Sequence, residues 1–214
     1  MILAAIPGLV RVAVPSAPGI PRDWYRAVSS AHAAQPFATA HSVGRRNRFN
    51  PGPLAAPPFA LLHLAEDVAT ALMEVRALFG SAASPAGWIT NPKVSHAVFR
   101  VQVSLSAVVD LTHAGNQAAL ATTAQELTGD WEGYRLRGLV GSTVSTPVGK
   151  APTQELGEAL ERHSMSGPSP AVEGWLTCSA RMPNRRVLVI RDPAGLPATA
   201  LHSASQVWPE QPAP

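Results

Sequence analysis

The chain has 214 residues, which is the length of one ordinary domain with a sizeable core. Hydrophobic residues make up 46% of the chain and charged residues only 14%, with a net charge of +3, so we expect a folded protein without a broad basic face. The single cysteine, Cys178, excludes an internal disulfide and a cysteine-rich zinc site, and no apolar run approaches the ~20 residues that span a membrane. We therefore expect a soluble, cytoplasmic protein without a membrane partner.

Residues 1–21 are rich in proline and apolar residues, and we interpret them as an edge strand or a loose arm. The segment DWYRAVSS, residues 23–30, follows as a short strand or turn that carries Tyr25 and Arg26. An arginine beside an apolar strand is usually paired with a carboxylate for structural reasons, and binding of a ligand is its less common role. Both explanations of Arg26 stay open on this evidence.

The densest positive stretch of the chain is GRRNRFNPG, residues 44–52, in which Arg45, Arg46 and Arg48 fall within four positions. Most runs of charge are solvated loops. Direct binding of nucleic acid is disfavoured, because it needs several basic clusters with aromatic partners, and aromatic residues make up only 6% of the chain. A pocket for a phosphorylated ligand is the third explanation, since arginine offers planar, bidentate donors that match phosphate oxygens.

The segment FALLHLAED, residues 59–67, predicts a short buried strand, and Asp67 is placed to cap the helix that follows. This helix is predicted to end at Gly80. Glu74 lies at the border of its apolar face, where a glutamate is most often an exposed helix former. The apolar face itself consists of Val68, Leu72, Val75 and Phe79.

The second half of the chain alternates between predicted strands and predicted helices. Residues 96–111 alternate like a strand, and residues 116–127 and 153–163 predict helices. Residues 174–179 and 185–190 predict two strands joined by a Pro-Asn turn. Because these elements do not follow a strict βαβ order, we expect an α+β domain with a mixed β-sheet core and flanking helices.

The strand at residues 174–179 ends in Cys178 and Ser179. A cysteine in an apolar run is far more often a core residue than a nucleophile, and a serine at a strand end most often bonds to the backbone. The sequence lacks a glycine-rich phosphate-binding motif, HExxH and a GxSxG elbow, and its seven histidines lack metal-ligand spacing, so no metal site is expected. The residues alone predict an α+β domain and, at most, a site for an anionic ligand.

The order of six segments resembles the RES domain family, the toxin halves of bacterial Xre–RES toxin–antitoxin pairs. That family has a YR strand, a GRFN or GRWN motif, an LYLAED…TALAEV strand and helix, a DL strand end, a TQ.LG.AL helix and a GLLYPSAR…NLVLF strand pair. The matching segments here are WYRAV (24–28), RNRFNPG (46–52), LLHLAEDVATALMEV (61–75), VVDLT (108–112), TQELGEAL (153–160) and EGWLTCSARMPNRRVLVI (173–190). We accordingly predict an N-terminal arm at 1–21, a RES domain at 22–195 and a C-terminal tail at 196–214.

The resemblance implies an ADP-ribosyltransferase-like fold and an enzyme that consumes NAD⁺ as its substrate, without a cofactor. Family members break the bond between nicotinamide and ribose and pass the ADP-ribosyl group to water, phosphate or a protein. The leading hypothesis is an NAD⁺-degrading toxin of a bacterial cytoplasm, acting by hydrolysis or phosphorolysis and neutralised by an Xre-type helix-turn-helix antitoxin. A protein ADP-ribosyltransferase and a non-catalytic or degenerate NAD-binding module are the alternatives, and a homo-oligomer stays open.

Carried over by position, the family's two arginines fall on Arg26 and Arg48, its glutamate on Glu74 and its serine on Ser179. The resemblance implies that the two arginines bind the pyrophosphate of NAD⁺ and that Glu74 stabilises the oxocarbenium-like ribose. Ser179 is expected to bond the nicotinamide amide or a phosphate. Catalytic roles therefore fall to Glu74, Arg48 and Ser179, and Tyr25 is expected beside Arg26 in the substrate site.

Two positions depart from the family's pattern. His63 stands where the family has tyrosine, so it can stack on the nicotinamide or donate a hydrogen bond, and its usual pKa near neutrality makes activity depend on pH. Asn47 precedes Arg48 where the family has a glycine. The loop must then replace that glycine's backbone freedom in another way, and Arg45 or Arg46 becomes an alternative to Arg48 as the working side chain.

Overall fold

The computed structural model describes residues 1–15, 20, 22–80, 87–133, 149–166, 171–196 and 200–209. Its strands are β1 (Arg11–Val14), β2 (Asp23–Ser29), β3 (Leu61–Ala65), β4 (Leu78–Gly80), β5 (Trp88–Thr90), β6 (His96–Val103), β7 (Leu105–Asp110), β8 (Gly174–Cys178), β9 (Arg186–Arg191) and β10 (Leu201–Trp208). The helices with both ends in the described residues are α1 (Val68–Glu74), α2 (Ala114–Ala119), α3 (Ala124–Thr128) and α4 (Pro152–Ser166). Across these described ranges, we find no helix with the length and apolar character needed to cross a membrane.

Eight of these strands form one sheet in the order β1-β7-β8-β9-β3-β2-β6-β10. β7 and β8 run parallel, whereas the other neighbours in this sheet run antiparallel. β4 and β5 form a separate two-stranded sheet. This architecture confirms the predicted α+β class with a mixed sheet, and β2, β3, β8, β9 and α4 lie where the sequence predicts strands and a helix.

Strand β9 explains why the middle of the sheet has a nearly continuous apolar sequence. Alternate residues of a strand point to opposite faces, so Val187 and Val189 join one core cluster while Leu188 and Ile190 join the other. All four side chains are at most 2% exposed. Fully buried leucines of α4 cover the first of these faces. Both faces of the central sheet are therefore covered.

Helix α1 is shorter than the sequence predicts. Its predicted cap is confirmed, because the Asp67 side chain accepts a hydrogen bond from the backbone N–H of Thr70 at 2.7 Å. The predicted end at Gly80 is wrong: Arg76 adopts a left-handed φ of 58°, and the N–H groups of Arg76 and Ala77 return to the carbonyl oxygens of the last helical turn. This is a Schellman ending, usually built on glycine, with arginine in its place. Glu74 consequently lies in the last turn of the helix.

Two further predicted elements are divided. The predicted strand at residues 96–111 is two strands, since β6 pairs with β2 and β10 while β7 pairs with β1 and β8. The predicted helix at residues 116–127 is separated into α2 and α3, with a φ of 48° at Ala121 and a side-chain cap at Thr123. Neither break carries glycine or proline, the residues that usually mark a turn.

Both ends of the chain contribute edge strands to the main sheet. β1, within the predicted arm, pairs with β7, and β10, within the predicted tail, pairs with β6. Ile6 and Leu9, which precede β1, are buried in the core cluster that also contains residues of α4. The division into arm, domain and tail stays a prediction. The parts of the arm and tail outside the described residues are 16–19, 21, 197–199 and 210–214.

Candidate functional site

The main sheet opens between β2 and β3, whose backbone pairing is limited to Tyr25 and Ala65. A cavity of about 620 Å³, which we call the cleft, lies at this opening. Its volume is within the range of about 300–1,000 Å³ that is typical of small-molecule sites. The sequence-predicted site residues that line the cleft are Tyr25, Arg26, Arg48, His63 and Glu74.

Side-chain amides hold residues 44–52, the arginine segment, in a tight turn. Asn47 and Asn50 exchange backbone hydrogen bonds, and Asn47 Oδ1 accepts the backbone N–H groups of Phe49 and Asn50 at 2.9 Å. The positive φ angles of the segment occur at Gly44 (77°) and Gly52 (63°), and not at Asn47. The asparagine that replaces the family's glycine therefore builds the turn with its side chain.

Helix α4 packs directly on the arginine segment at Gly157. A Cβ atom at this position would lie 1.9 Å from the carbonyl oxygen of Phe49, so the approach requires glycine. One turn earlier, Gln154 donates a hydrogen bond from Nε2 to the carbonyl oxygen of Asn47 at 2.9 Å. The helix thus fixes the position of the segment.

Arg48 is the buried arginine of the segment, with 6% exposure, whereas Arg45 is exposed and Arg46 is half-buried. Arg48 Nη1 donates to the carbonyl oxygen of Cys178 at 2.9 Å, and its guanidinium lies 4.9 Å from the ring centroid of the adjacent phenylalanine. Burial lowers the pKa of Arg48, and the nearby carboxylate of Glu74 opposes that change. Arg48 is therefore a fixed cation at the wall of the cleft.

Arg26 on β2 is a buried cation without a charged partner among the described residues. It is 6% exposed, and its Nη2 donates to the carbonyl oxygen of Ala38 at 3.1 Å, but its Nε makes no hydrogen bond. Burial lowers the pKa of Arg26 to about 10, so it remains charged at neutral pH. No carboxylate of the described residues pairs with Arg26, which leaves the structural explanation without support there. A buried, uncompensated cation is a candidate anion-binding group.

Glu74 is held by the strand end that follows β8. Its Oε1 accepts hydrogen bonds from the hydroxyl of Ser179 at 2.5 Å and from the backbone N–H of Ala180 at 3.0 Å. Ser179 is completely buried and does not line the cleft. Ser179 thus contacts Glu74 in this structure, an arrangement suited to a positioning residue, and its expected contact with a ligand stays a prediction.

His63 is half-buried on β3, at the wall of the cleft. Burial, followed by the charges of Arg48 and Arg26, lowers the pKa of His63 to about 3. The expectation that His63 titrates near neutral pH is wrong for that reason. At physiological pH it is a neutral imidazole, with one hydrogen-bond donor and one acceptor.

Several parts of the cleft wall were missed on the sequence, among them His41, Arg76, Arg181 and residues 128–132, which include Trp131. Arg181 belongs to the SAR block that matched the family pattern, and that block was the signal for it. His41 and residues 128–132 carry no motif. The last segment is tied to the end of α1 by an ion pair between Arg76 and Glu132 at 2.7 Å.

The cleft wall is strongly positive. Its carboxylates are Glu74, Asp130 and Glu132, and its arginines are Arg26, Arg45, Arg46, Arg48, Arg76 and Arg181. Of these arginines, only Arg76 forms an ion pair within the described part of the chain. The same part contains no group of three side chains arranged to hold a metal ion. The cleft can thus bind a ligand with several negative charges and place one fixed carboxylate beside it.

Comparison with known proteins identifies a family and a solved structure with a similar fold. The family model of the RES domain matches residues 23–209. A chain of the Mycobacterium tuberculosis MbcT–MbcA toxin–antitoxin complex is similar in structure, with a TM-score of 0.56 and 18% sequence identity, over 96% of this chain and 91% of that chain. A search of curated proteins found no match.

Proposed function

Because the chain belongs to the RES domain family, we propose that it is the toxin of a toxin–antitoxin pair and that it degrades NAD⁺. The reaction is cleavage of the bond between nicotinamide and ribose, with NAD⁺ as substrate. The observation that carries this proposal is the combination of a held carboxylate, Glu74, with two buried arginines, Arg26 and Arg48, around one cleft.

The two arginines suit the diphosphate part of the substrate. A pyrophosphate carries two negative charges, and guanidinium groups bind phosphate oxygens in a planar, bidentate way. Arg26 has no carboxylate partner among the described residues, and its Nε is without a hydrogen bond. Binding of the pyrophosphate supplies the missing counter-charge, and it orients the dinucleotide along the cleft.

Glu74 suits the part of NAD⁺ that reacts, the bond between nicotinamide and ribose. The C1′–N bond breaks, its electron pair goes to the nicotinamide nitrogen, and the nicotinamide leaves as a neutral molecule without a general acid. The ribose then carries oxocarbenium-like charge, which a nearby carboxylate stabilises. At about 4 Å and an effective dielectric constant of about 20, two unit charges interact by about 4 kcal/mol. An oxygen of water or phosphate forms the new bond to C1′, and where water attacks, its proton passes to the solvent.

The antitoxin is part of the proposal. The structurally similar chain comes from a toxin–antitoxin complex. Toxins of the RES domain family are paired with Xre-type helix-turn-helix antitoxins. We expect a partner of that type to cover the cleft, in the cytoplasm of a bacterium. A net charge of +3 suits an acidic surface on that partner.

The test is release of free nicotinamide from NAD⁺ by the purified protein and by its Glu74→Gln variant. Glutamine keeps the size of the side chain and removes its charge, so the rate should fall by about a thousandfold, the equivalent of about 4 kcal/mol. Glu155→Gln, at an exposed position of α4, is the matched control. Full activity of the Glu74 variant, or absence of nicotinamide release by the unchanged protein, would overturn the proposal.

Labelled NAD⁺ separates degradation from the alternative of protein ADP-ribosylation. Label in free ADP-ribose or its phosphate supports degradation. Label on a protein band supports transfer, and absence of turnover supports a non-catalytic NAD-binding module.

A further inference from the structure

The proposed function uses Arg26 and Arg48 and gives no role to three other cleft arginines without an ion pair in the described residues: Arg181, and Arg45 and Arg46 of the arginine segment. The last two are neighbours in the chain. Arg45 is exposed and Arg46 is half-buried, and both line the cleft. Neither forms an ion pair with a carboxylate of the described residues. The cleft therefore holds more uncompensated positive charge than a pyrophosphate neutralises.

The backbone that carries these two arginines is fixed before any ligand binds. The N–H of Arg45 donates to the carbonyl oxygen of Ser42 at 3.1 Å. A Cβ atom on Gly52, which has a φ of 63°, would lie 2.8 Å from the backbone nitrogen of Arg46, so the two strands of the turn are in close contact. A fixed backbone reduces the entropy that is lost when the guanidinium groups bind a ligand.

His41 links the outer arginines to the buried one. It lines the cleft, and its ring stacks on that of His32 with a centroid distance of 5.5 Å. Burial lowers the pKa of His41, and the charges of Arg26, His32 and Arg45 lower it further, so His41 lies near both Arg26 and Arg45. His41 is therefore uncharged at neutral pH, and the positive charge on this part of the cleft wall comes from Arg26 and Arg45.

We propose that Arg45 and Arg46 form a second phosphate subsite at the mouth of the cleft, which binds a phosphate dianion in addition to the pyrophosphate. The inference rests on the proposed function, because it places the pyrophosphate on Arg26 and Arg48. The dianion has two chemical sources: the 2′-phosphate of NADP⁺, which arrives attached to the substrate, or free inorganic phosphate. Two guanidinium groups match either one in charge and in donor geometry.

The size of the effect is limited by exposure. Charges at the mouth of the cleft are screened by salt, with a Debye length of about 8 Å at physiological ionic strength. We therefore expect a ligand with the additional phosphate to bind about tenfold more tightly than the same ligand without it, which equals about 1.4 kcal/mol. This ratio of affinities should decrease as salt is added.

The experiment measures binding by titration calorimetry, with ADP-ribose and ADP-ribose 2′-phosphate as ligands that lack nicotinamide. The variants are Arg45→Ala with Arg46→Ala, and, as the matched control with the same loss of charge, Arg22→Ala with Arg100→Ala. Arg22 and Arg100 are exposed and lie outside the cleft wall. A second arm titrates inorganic phosphate into protein saturated with ADP-ribose.

Tighter binding of ADP-ribose 2′-phosphate than of ADP-ribose, lost in the Arg45/Arg46 variant and kept in the control, supports the subsite with the 2′-phosphate as its source. Binding of inorganic phosphate to the ADP-ribose complex supports the subsite with free phosphate as its source, provided that the Arg45/Arg46 variant loses this binding. The subsite is overturned if neither the 2′-phosphate nor inorganic phosphate adds to the binding of ADP-ribose, or if the tighter binding of the phosphorylated ligand persists in the Arg45/Arg46 variant. Either result leaves the proposed function intact. Failure to bind ADP-ribose at all, with no release of nicotinamide from NAD⁺, overturns both.

Discussion

The hydroxyl of Ser179 donates a hydrogen bond to Oε1 of Glu74 over 2.5 Å, although 105 residues separate the two in the chain. The N–H of Ala180 donates to the same oxygen. The Ser179 oxygen in turn accepts the backbone N–H groups of Arg181 and Met182 at 3.2 and 3.0 Å. One carboxylate oxygen of Glu74 is therefore fixed by the protein, and Glu74 is one of the residues that line the cleft.

Replacement of Ser179 by alanine should lower kcat for nicotinamide release by about ten- to a hundredfold, because a hydrogen bond to a charged group is worth about 1.5–3 kcal/mol. KM for NAD⁺ should change by less than about threefold, since Ser179 does not line the cleft. Thr177→Val is the matched control, because Thr177 is a buried residue of β8 whose hydroxyl has no hydrogen-bond partner. Equal rates in the two variants, or an increase in KM without a decrease in kcat, would exclude the positioning role.

Arg26 should lower the stability of the unliganded protein. Burial lowers its pKa to about 10, which corresponds to a cost of about 3 kcal/mol to the folded state at every pH below that value. Arg26→Met keeps the length of the side chain and removes the charge, so the free energy of unfolding in urea should rise by about 1–3 kcal/mol.

The same variant should bind ADP-ribose at least about tenfold more weakly, since it lacks the charged donors. Arg100→Met, at an exposed position of β6, should change neither quantity. A decrease in stability together with unchanged affinity would indicate that Arg26 serves the fold and not the ligand.

Four residues singled out by the collinear motifs, Arg26, Arg48, His63 and Glu74, line one cleft in the structure, and their roles there stay a prediction. Their mutual arrangement was beyond the sequence, because it depends on the limited pairing of β2 with β3 and on the contact between Ser179 and Glu74. Contacts between residues that lie far apart in the chain produce no periodic pattern in a single sequence, so they could not be predicted from it.

Local signals failed where an unusual residue took the role of a common one. The end of α1 was placed at Gly80 because glycine is the usual residue of a left-handed helix ending, but Arg76 adopts that conformation here. Asn47 likewise builds with its side-chain oxygen a turn for which the family uses glycine. The Arg76 conformation is not one that arginine prefers, whereas the Asn47 turn rests on the local side-chain hydrogen bonds that asparagine commonly forms.

His63 should lower the stability of the folded protein in acid, and it should not make the activity depend on pH near neutrality. Its pKa is lowered to about 3 in the folded state and is about 6.5 in the unfolded chain, so the unfolded state binds the extra proton below pH 6.5 or so. Stability should therefore fall by about 1.4 kcal/mol per pH unit as the pH decreases from about 6.5.

Unfolding in urea at several pH values, for the protein and its His63→Tyr variant, checks this expectation. Tyrosine does not titrate in this range, so the difference in unfolding free energy between the two proteins should change by about 2–3 kcal/mol between pH 7 and 4.5. Their pH profiles of nicotinamide release should coincide between pH 6 and 8 or so. An inflection near pH 6.5 that only the unchanged protein shows would mean that His63 titrates in the working enzyme.

Gly157 connects the stability of the core to the position of Arg48. A Cβ atom at residue 157 would lie 1.9 Å from the carbonyl oxygen of Phe49, so the helix or the turn must shift, and the hydrogen bond between Gln154 and Asn47 ties these two together. Gly157→Ala should therefore lower the free energy of unfolding by about 2 kcal/mol or more. Where the variant still folds, ADP-ribose affinity should fall as well, because Arg48 moves with the turn. Gly8→Ala, at a position where an added Cβ meets no atom within 4 Å, is the control and should change both quantities little. A Gly157 variant with unchanged stability and affinity would show that α4 does not set the geometry of the arginine segment.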